Sequence, residues 1–91
     1  MAGGRYLARI DVMLKALVND PQGLTVLDGL KTLGFGGIDR VRIGKRIEVT
    51  LDAGSADEAR QAVSEMCDRL LANPVLEEFS FEINEVAASE A

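Results

Sequence analysis

The chain has 91 residues, 47% hydrophobic and 27% charged, with a formal net charge of −5, one cysteine and no histidine. That length makes one small domain, residues 1–91, which buries only about 60–65% of its unfolded surface and gains stability by associating. The acidic balance, with three Phe, one Tyr and no Trp, argues against a nucleic-acid binder, which needs a basic surface and stacking rings, and no apolar run approaches the roughly 18 residues of a membrane helix.

From Tyr6 to Leu14 the apolar residues Tyr6, Ala8, Ile10, Val12 and Leu14 share one face, with Arg9, Asp11 and Lys15 on the other. This period of two predicts a half-buried strand. Asp20 then offers a helix N-cap, followed by Pro21 at the first helical position, where its missing N–H costs nothing. The helix runs to about Leu33 and carries Val26, Leu27, Leu30 and Leu33 inward. Gly34 suits the left-handed closing position, which places Phe35 to touch Leu30.

In the middle of the chain Val41, Ile43, Ile47, Val49 and Leu51 all hold odd positions, so the alternation passes through Gly44-Lys45-Arg46 without a change of phase. A two-residue turn at Gly44-Lys45 would mix apolar and charged residues on one face. Two arrangements keep the faces consistent: a hairpin with a three-residue loop at 44–46, or one long strand bent or bulged at Gly44. The second leaves Lys45 on the apolar face unless the strand projects beyond its own core, and a projecting strand invites a partner strand from another subunit.

Ser55 and Glu58 form a capping box at the head of a second helix. Its stripe of Ala59, Val63, Met66 and Leu70, flanked by Ala62, Cys67 and Leu71, faces the sheet. Asn73 suits a left-handed closing position and Pro74 stops the helix. Phe79, Phe81 and Ile83 alternate with Glu78, Ser80 and Glu82 in a last strand. The expected ordered core is 5–84, with 85–91 as a frayed tail. Stripes and alternation each supply one apolar face, which predicts an α+β two-layer sandwich: an antiparallel sheet with two helices on one face.

Catalytic equipment is sparse. Without histidine the chain lacks the usual general base and the commonest metal ligand. Cys67, on or beside the apolar stripe, reads as a small buried core residue rather than a nucleophile. Asp20, Glu48, Asp52, Glu77 and Glu78 show no metal-loop spacing and read as caps, surface and strand ends. Gly34-Phe35-Gly36-Gly37 follows a helix and precedes a strand, the reverse of a dinucleotide loop, and reads as a turn. No catalytic, cofactor or metal residue is expected. Arg40, Arg42, Lys45 and Arg46 form the one local basic cluster, either a solvated strand and turn or a patch meeting an acidic partner or a phosphate. The candidate interface is Arg42, Gly44, Lys45, Arg46 and Ile47. A lone cysteine and no signal-type segment after Met1-Ala2-Gly3-Gly4-Arg5 make the cytoplasm the expected location.

Four blocks form one ordered series: Asp20-Pro21-Gln22-Gly23; Leu30-Lys31-Thr32-Leu33-Gly34-Phe35; Ile43-Gly44-Lys45-Arg46-Ile47-Glu48; and Met66-Cys67-Asp68-Arg69-Leu70-Leu71-Ala72-Asn73-Pro74-Val75. In order and spacing, from about Tyr6 to Ile83, the chain resembles the PurS family, the small subunit of formylglycinamidine ribonucleotide (FGAM) synthetase in purine biosynthesis. Arg46 stands where similar chains commonly have an aromatic residue. The resemblance implies a ferredoxin-like β-α-β-(β)-α-β order and a non-catalytic subunit, a homodimer or dimer of dimers, that bridges a glutaminase and a synthetase and supports ammonia transfer. It implies no cofactor on this chain; ATP, Mg and glutamine belong to the partner subunits. Two other classes share features of the sequence: an ACT-like effector-binding regulatory module, which free amino acids would stabilise, and a stand-alone enzyme, which would turn over alone.

Overall fold

The computed structural model describes residues 3–87. Strand β1 (Gly4–Leu14) leads to helix α1 (Pro21–Thr32), strand β2 (Gly44–Ala53), helix α2 (Ala56–Met66), a π-helical turn (Cys67–Leu71) and strand β3 (Glu77–Val86). The sheet has the order β2-β1-β3, with both neighbours antiparallel to β1. The α+β class and the antiparallel sheet are those expected from the alternation.

Register sorts the residues by face. Ile10 lies between Ile47 and Phe81, and Ala8 between Val49 and Ile83. One helix, α2, packs over this row and buries Ala59 and Val63, with Cys67 following in the π turn. The core is Ala8, Ile10, Val12, Val63, Cys67 and Ala72, with Ile47, Val49, Leu51, Phe79, Phe81 and Ile83 partly buried around it. The opposite sheet face carries cross-strand ion pairs. Arg9 stands 3.7 Å from both Glu48 and Glu82, Arg46 stands 3.6 Å from Asp11, and Arg5 stands 2.9 Å from Asp52. Exposed pairs of this kind contribute little each, but they mark this face as the solvated one.

The second helix starts as expected, with Ser55 Oγ accepting from the Glu58 N–H at 3.2 Å. It ends differently. Among the described residues no non-glycine residue has a positive φ, so Asn73 does not take the left-handed position. Instead the helix widens, the Ala72 N–H donates to the Cys67 carbonyl, and the Asn73 carbonyl accepts from Leu76 and Glu77. Helix α1 closes as its sequence predicts. Gly34 has φ 96°, and the Phe35 N–H reaches the Leu30 carbonyl at 3.1 Å.

Three further expectations change. First, no hairpin forms at 44–46. β2 begins at Gly44 and pairs continuously with β1, and 41–43 precede it outside the sheet. The optional extra strand is therefore absent among the described residues. Second, β3 continues to Val86, because Tyr6 and Arg5 pair with Glu85 and Val86. Residues 85 and 86, expected in a frayed tail over 85–91, are thus strand, and 88–91 lie outside the described residues. Third, α2 alone covers the apolar face. Only Gly23 of α1 is buried, and the chain measures 57 × 30 × 16 Å with a radius of gyration of 17.2 Å, against about 12 Å for a compact domain of this length. α1 is an arm, not a second cover for the sheet.

Candidate functional site

Of the candidate interface residues, Gly44 and Lys45 line a cavity of about 350 Å³ where the arm leaves the body, between the end of β1, the head of α1 and the starts of β2 and β3. Asp20 organises this root. Its Oδ1 accepts from the Gly23 N–H at 2.9 Å, which caps α1. Its Oδ2 accepts from the Ile43 N–H at 2.9 Å, which ties the returning chain to the same carboxylate. The sequence signals the cap but not the tether, since Ile43 lies 23 residues away. Gly23 is required for the close approach, because a Cβ there would collide with the Val41 carbonyl oxygen.

Two members of the basic cluster are used internally. The Arg42 guanidinium donates to the Leu14 carbonyl, and Arg40 donates to the Ala16 carbonyl at 2.9 Å. Leu14 is the last residue of β1 and Ala16 lies just beyond it, so both arginines hold backbone carbonyls at the strand's end. The other members separate. Lys45 pairs in register with Val12 and Ile47 with Ile10, on the helix-covered face, whereas Gly44 and Arg46 alternate to the charged face. The five candidate residues are thus neighbours along one segment but not a single basic patch. Arg42 shapes the root, Gly44 fits against Met13 and Val12, and Lys45 and Ile47 lie along a strand whose outer edge has no partner strand among the described residues.

The electrostatics of the root follow from these contacts. The Ile43 and Gly23 N–H groups, helped by Arg42 and Arg40, hold the Asp20 carboxyl below its usual value. A lowered folded value means that this stabilisation is complete above the unfolded value, near 3.8, and is lost as pH falls through the folded one. Denaturant midpoints of wild type and Asp20→Asn are therefore expected to differ at pH 5 and to converge toward pH 2. Asn keeps one acceptor oxygen and turns an NH₂ toward one of the two donors. Asp52, lowered by Arg5, is the same in both proteins and cancels. A pH-independent difference would contradict the assignment.

This arrangement joins segments rather than performing bond chemistry. Cys67 is buried, as the helical stripe predicts, and burial with nearby Asp68 raises its thiol pKa, the opposite of an activated nucleophile. Asp20 is ionised and committed to two backbone donors. Exposed instead are large apolar side chains: Leu24, Val26, Leu33 and Phe35 on the arm, Leu17 at its root, and Leu70, Val75 and Leu76 where the second helix turns into β3. All eight lie toward one end of the sheet, the end at which β1 finishes and β2 and β3 begin.

Residues 7–85 match the family model described as PurS, phosphoribosylformylglycinamidine (FGAM) synthase. The chain is 50% identical over 78 residues to the phosphoribosylformylglycinamidine synthase subunit PurS of Synechocystis sp., covering 86% of this chain and 78% of that protein. It is 40% identical to the PurS subunit of Bacillus subtilis, covering 91% and 98%. Among solved structures it is similar to Methanocaldococcus jannaschii PurS, with a TM-score of 0.81 at 30% identity, covering 90% and 99%. It is also similar to a chain of PurLQS from Thermotoga maritima, with a TM-score of 0.78 at 32% identity, covering 90% and 98%.

Proposed function

The chain belongs to the PurS family of FGAM synthase subunits in purine biosynthesis, and from that premise we propose that it is the non-catalytic subunit that bridges glutaminase and synthetase and supports ammonia transfer between them. The observation that carries this reading is the division of labour in its surface. Asp20, Arg40 and Arg42, which could have bound a ligand, are spent on the chain's own backbone, while eight large apolar side chains stay exposed. Apolar surface left in water favours association. A TM-score of 0.78 to a chain of the PurLQS structure supports a place in an assembly of that kind.

In this reading the chain works in the cytoplasm as a homodimer or dimer of dimers, and binds no cofactor. ATP, Mg and glutamine are handled by the partner subunits. The unpaired edge of β2, with Lys45 and Ile47, is the expected contact strand, because an open edge offers a row of backbone donors and acceptors. Arg42 and Gly44 position that strand, and Arg46 lies across from Asp11 on the solvated face. No helix among the described residues is long and apolar enough to cross a membrane.

Co-sedimentation of the purified chain with its cognate glutaminase and synthetase tests the bridge. A species containing all three is expected, weakened by Lys45→Glu. Binding of the other two proteins to each other with no uptake of this chain would contradict the proposal.

A further inference from the structure

α1 leaves the body on two connectors, one going out after Leu14 and one returning before Gly44. The returning connector is tied to the outgoing side, between the end of β1 and the first turn of α1, at four consecutive residues: Arg40 donates to the Ala16 carbonyl, the Val41 carbonyl oxygen lies against Gly23, Arg42 donates to the Leu14 carbonyl, and the Ile43 N–H donates to Asp20 Oδ2. Arg42 and Arg40 also stabilise the Asp20 carboxylate that receives Ile43. The ties therefore support one another.

Beyond this root the arm has little to lean on. Gly23 is the one buried residue of α1, and Leu24, Val26, Leu33 and Phe35 are exposed. Among the described residues nothing lies within 4 Å of a Cβ added at Gly29, Gly34, Gly36 or Gly37. Untied connectors would let such a helix swing, because loops move on the ns–μs scale unless something holds them. The direction of α1 is set where it joins the body.

We infer that Asp20, Arg40 and Arg42 are positioning residues, which hold α1 at one angle to the sheet in the free chain so that its apolar side chains meet the partner proteins already in place. Ordering a mobile segment during binding lowers affinity, and holding it beforehand removes that loss. None of the three side chains has to touch a partner. The inference rests on the bridging reading above and adds how the bridge is kept ready.

The first measurement uses the chain alone. Spin labels at Gly29→Cys on α1 and Gln61→Cys on α2, both exposed positions, report the arm-to-body distance by electron–electron double resonance. Doubly labelled chain is diluted in unlabelled chain, so that distances within one chain dominate. Cys67 is 0% exposed and does not take a label. One narrow distribution is expected with the root intact. Arg42→Gln is expected to broaden it at least about twofold. Arg42→Lys keeps a cationic donor for the Leu14 carbonyl and is expected to keep it narrow.

The second measurement is glutamine-dependent amidine formation by glutaminase and synthetase, titrated with the chain. Arg42→Gln is expected to raise the half-saturating concentration at least about tenfold and to leave the saturated rate unchanged, with Arg42→Lys close to wild type. Arg40→Gln, which frees one exposed carbonyl, is expected to move both readouts in the same direction, and takes the place of Arg42→Gln if circular dichroism shows that variant unfolded.

A broad distribution with the root intact, a narrow one in Arg42→Gln, or Arg42→Lys behaving as Arg42→Gln would each overturn the positioning role. So would a broadened arm with an unchanged half-saturating concentration, or a lowered saturated rate. Amidine formation that is indifferent to the wild-type chain would remove the bridging reading instead, and the distance distributions would still decide whether the root holds the arm.

Discussion

Gly23→Ala is expected to destabilise the chain, and Gly29→Ala, six residues along the same helix, to stabilise it. Alanine is the better helix former at both positions, by up to about 1 kcal/mol. At Gly29 nothing lies within 4 Å of an added Cβ, so that gain is realised. At Gly23 the added carbon would collide with the Val41 carbonyl oxygen and lie 2.8 Å from Asp20 Oδ2. Neither neighbour can yield cheaply: Val41 is backbone two residues before Ile43, whose N–H is held by Asp20, and Asp20 also caps the helix. Forcing atoms into filled space costs about 1–3 kcal/mol, which exceeds the propensity gain. Each net kcal/mol moves the midpoint of a domain this small by about 4–8 °C. Thermal melts of the two variants check the sign, and a Gly23→Ala protein as stable as Gly29→Ala would show that the root is not tightly packed.

Ile10→Ala is expected to cost more, about 2–5 kcal/mol for a fully buried aliphatic residue. Ile10 is 0% exposed, sits on the central strand between Ile47 and Phe81, and belongs to the core that includes Val63 and Cys67. Its cavity could close only by moving strands on both sides. Since domains have about 5–15 kcal/mol in total and small ones less than large ones, the variant is expected to be substantially unfolded at growth temperature. Phe35→Ala, at a residue 57% exposed, is the control and should leave the urea midpoint of the isolated chain nearly unchanged. A cost below about 1 kcal/mol at Ile10 would contradict the one-core description.

Local rules account for the parts of the fold that were legible in the sequence. Alternation at Tyr6–Val12 and at Phe79–Ile83 needs only the two-residue period, and the Ala59 and Val63 part of the second helix's stripe needs only the helical one; Leu70, expected on that stripe, is exposed instead, because the helix widens into the π turn at Cys67–Leu71 and carries the flanking Cys67 inward. Asp20-Pro21, Ser55 and Gly34 act within a few residues and were readable as caps. What escaped is long-range. Arg42 reaches a carbonyl 28 residues away and Arg40 one 24 residues away; no periodicity encodes such contacts, so the basic cluster looked like a single patch when half of it was structural. The phase continuity through Gly44 identified the correct face for Ile47, Val49 and Leu51 but not the start of β2, because Val41 and Ile43 keep the strand pattern while their segment is held outside the sheet by side chains. The placement of α1 is the largest departure. An apolar stripe marks the face that a helix can bury, and it does not say what that face meets.

Reconstitution tests the central claim most directly. Glutaminase and synthetase are assayed for amidine formation with glutamine or with ammonium as nitrogen donor, each with and without this chain. A bridging, ammonia-transfer role predicts that omitting the chain abolishes the glutamine-dependent reaction, spares the ammonium-dependent one and leaves both partners folded. Glutamine-dependent formation at full rate without the chain would contradict it.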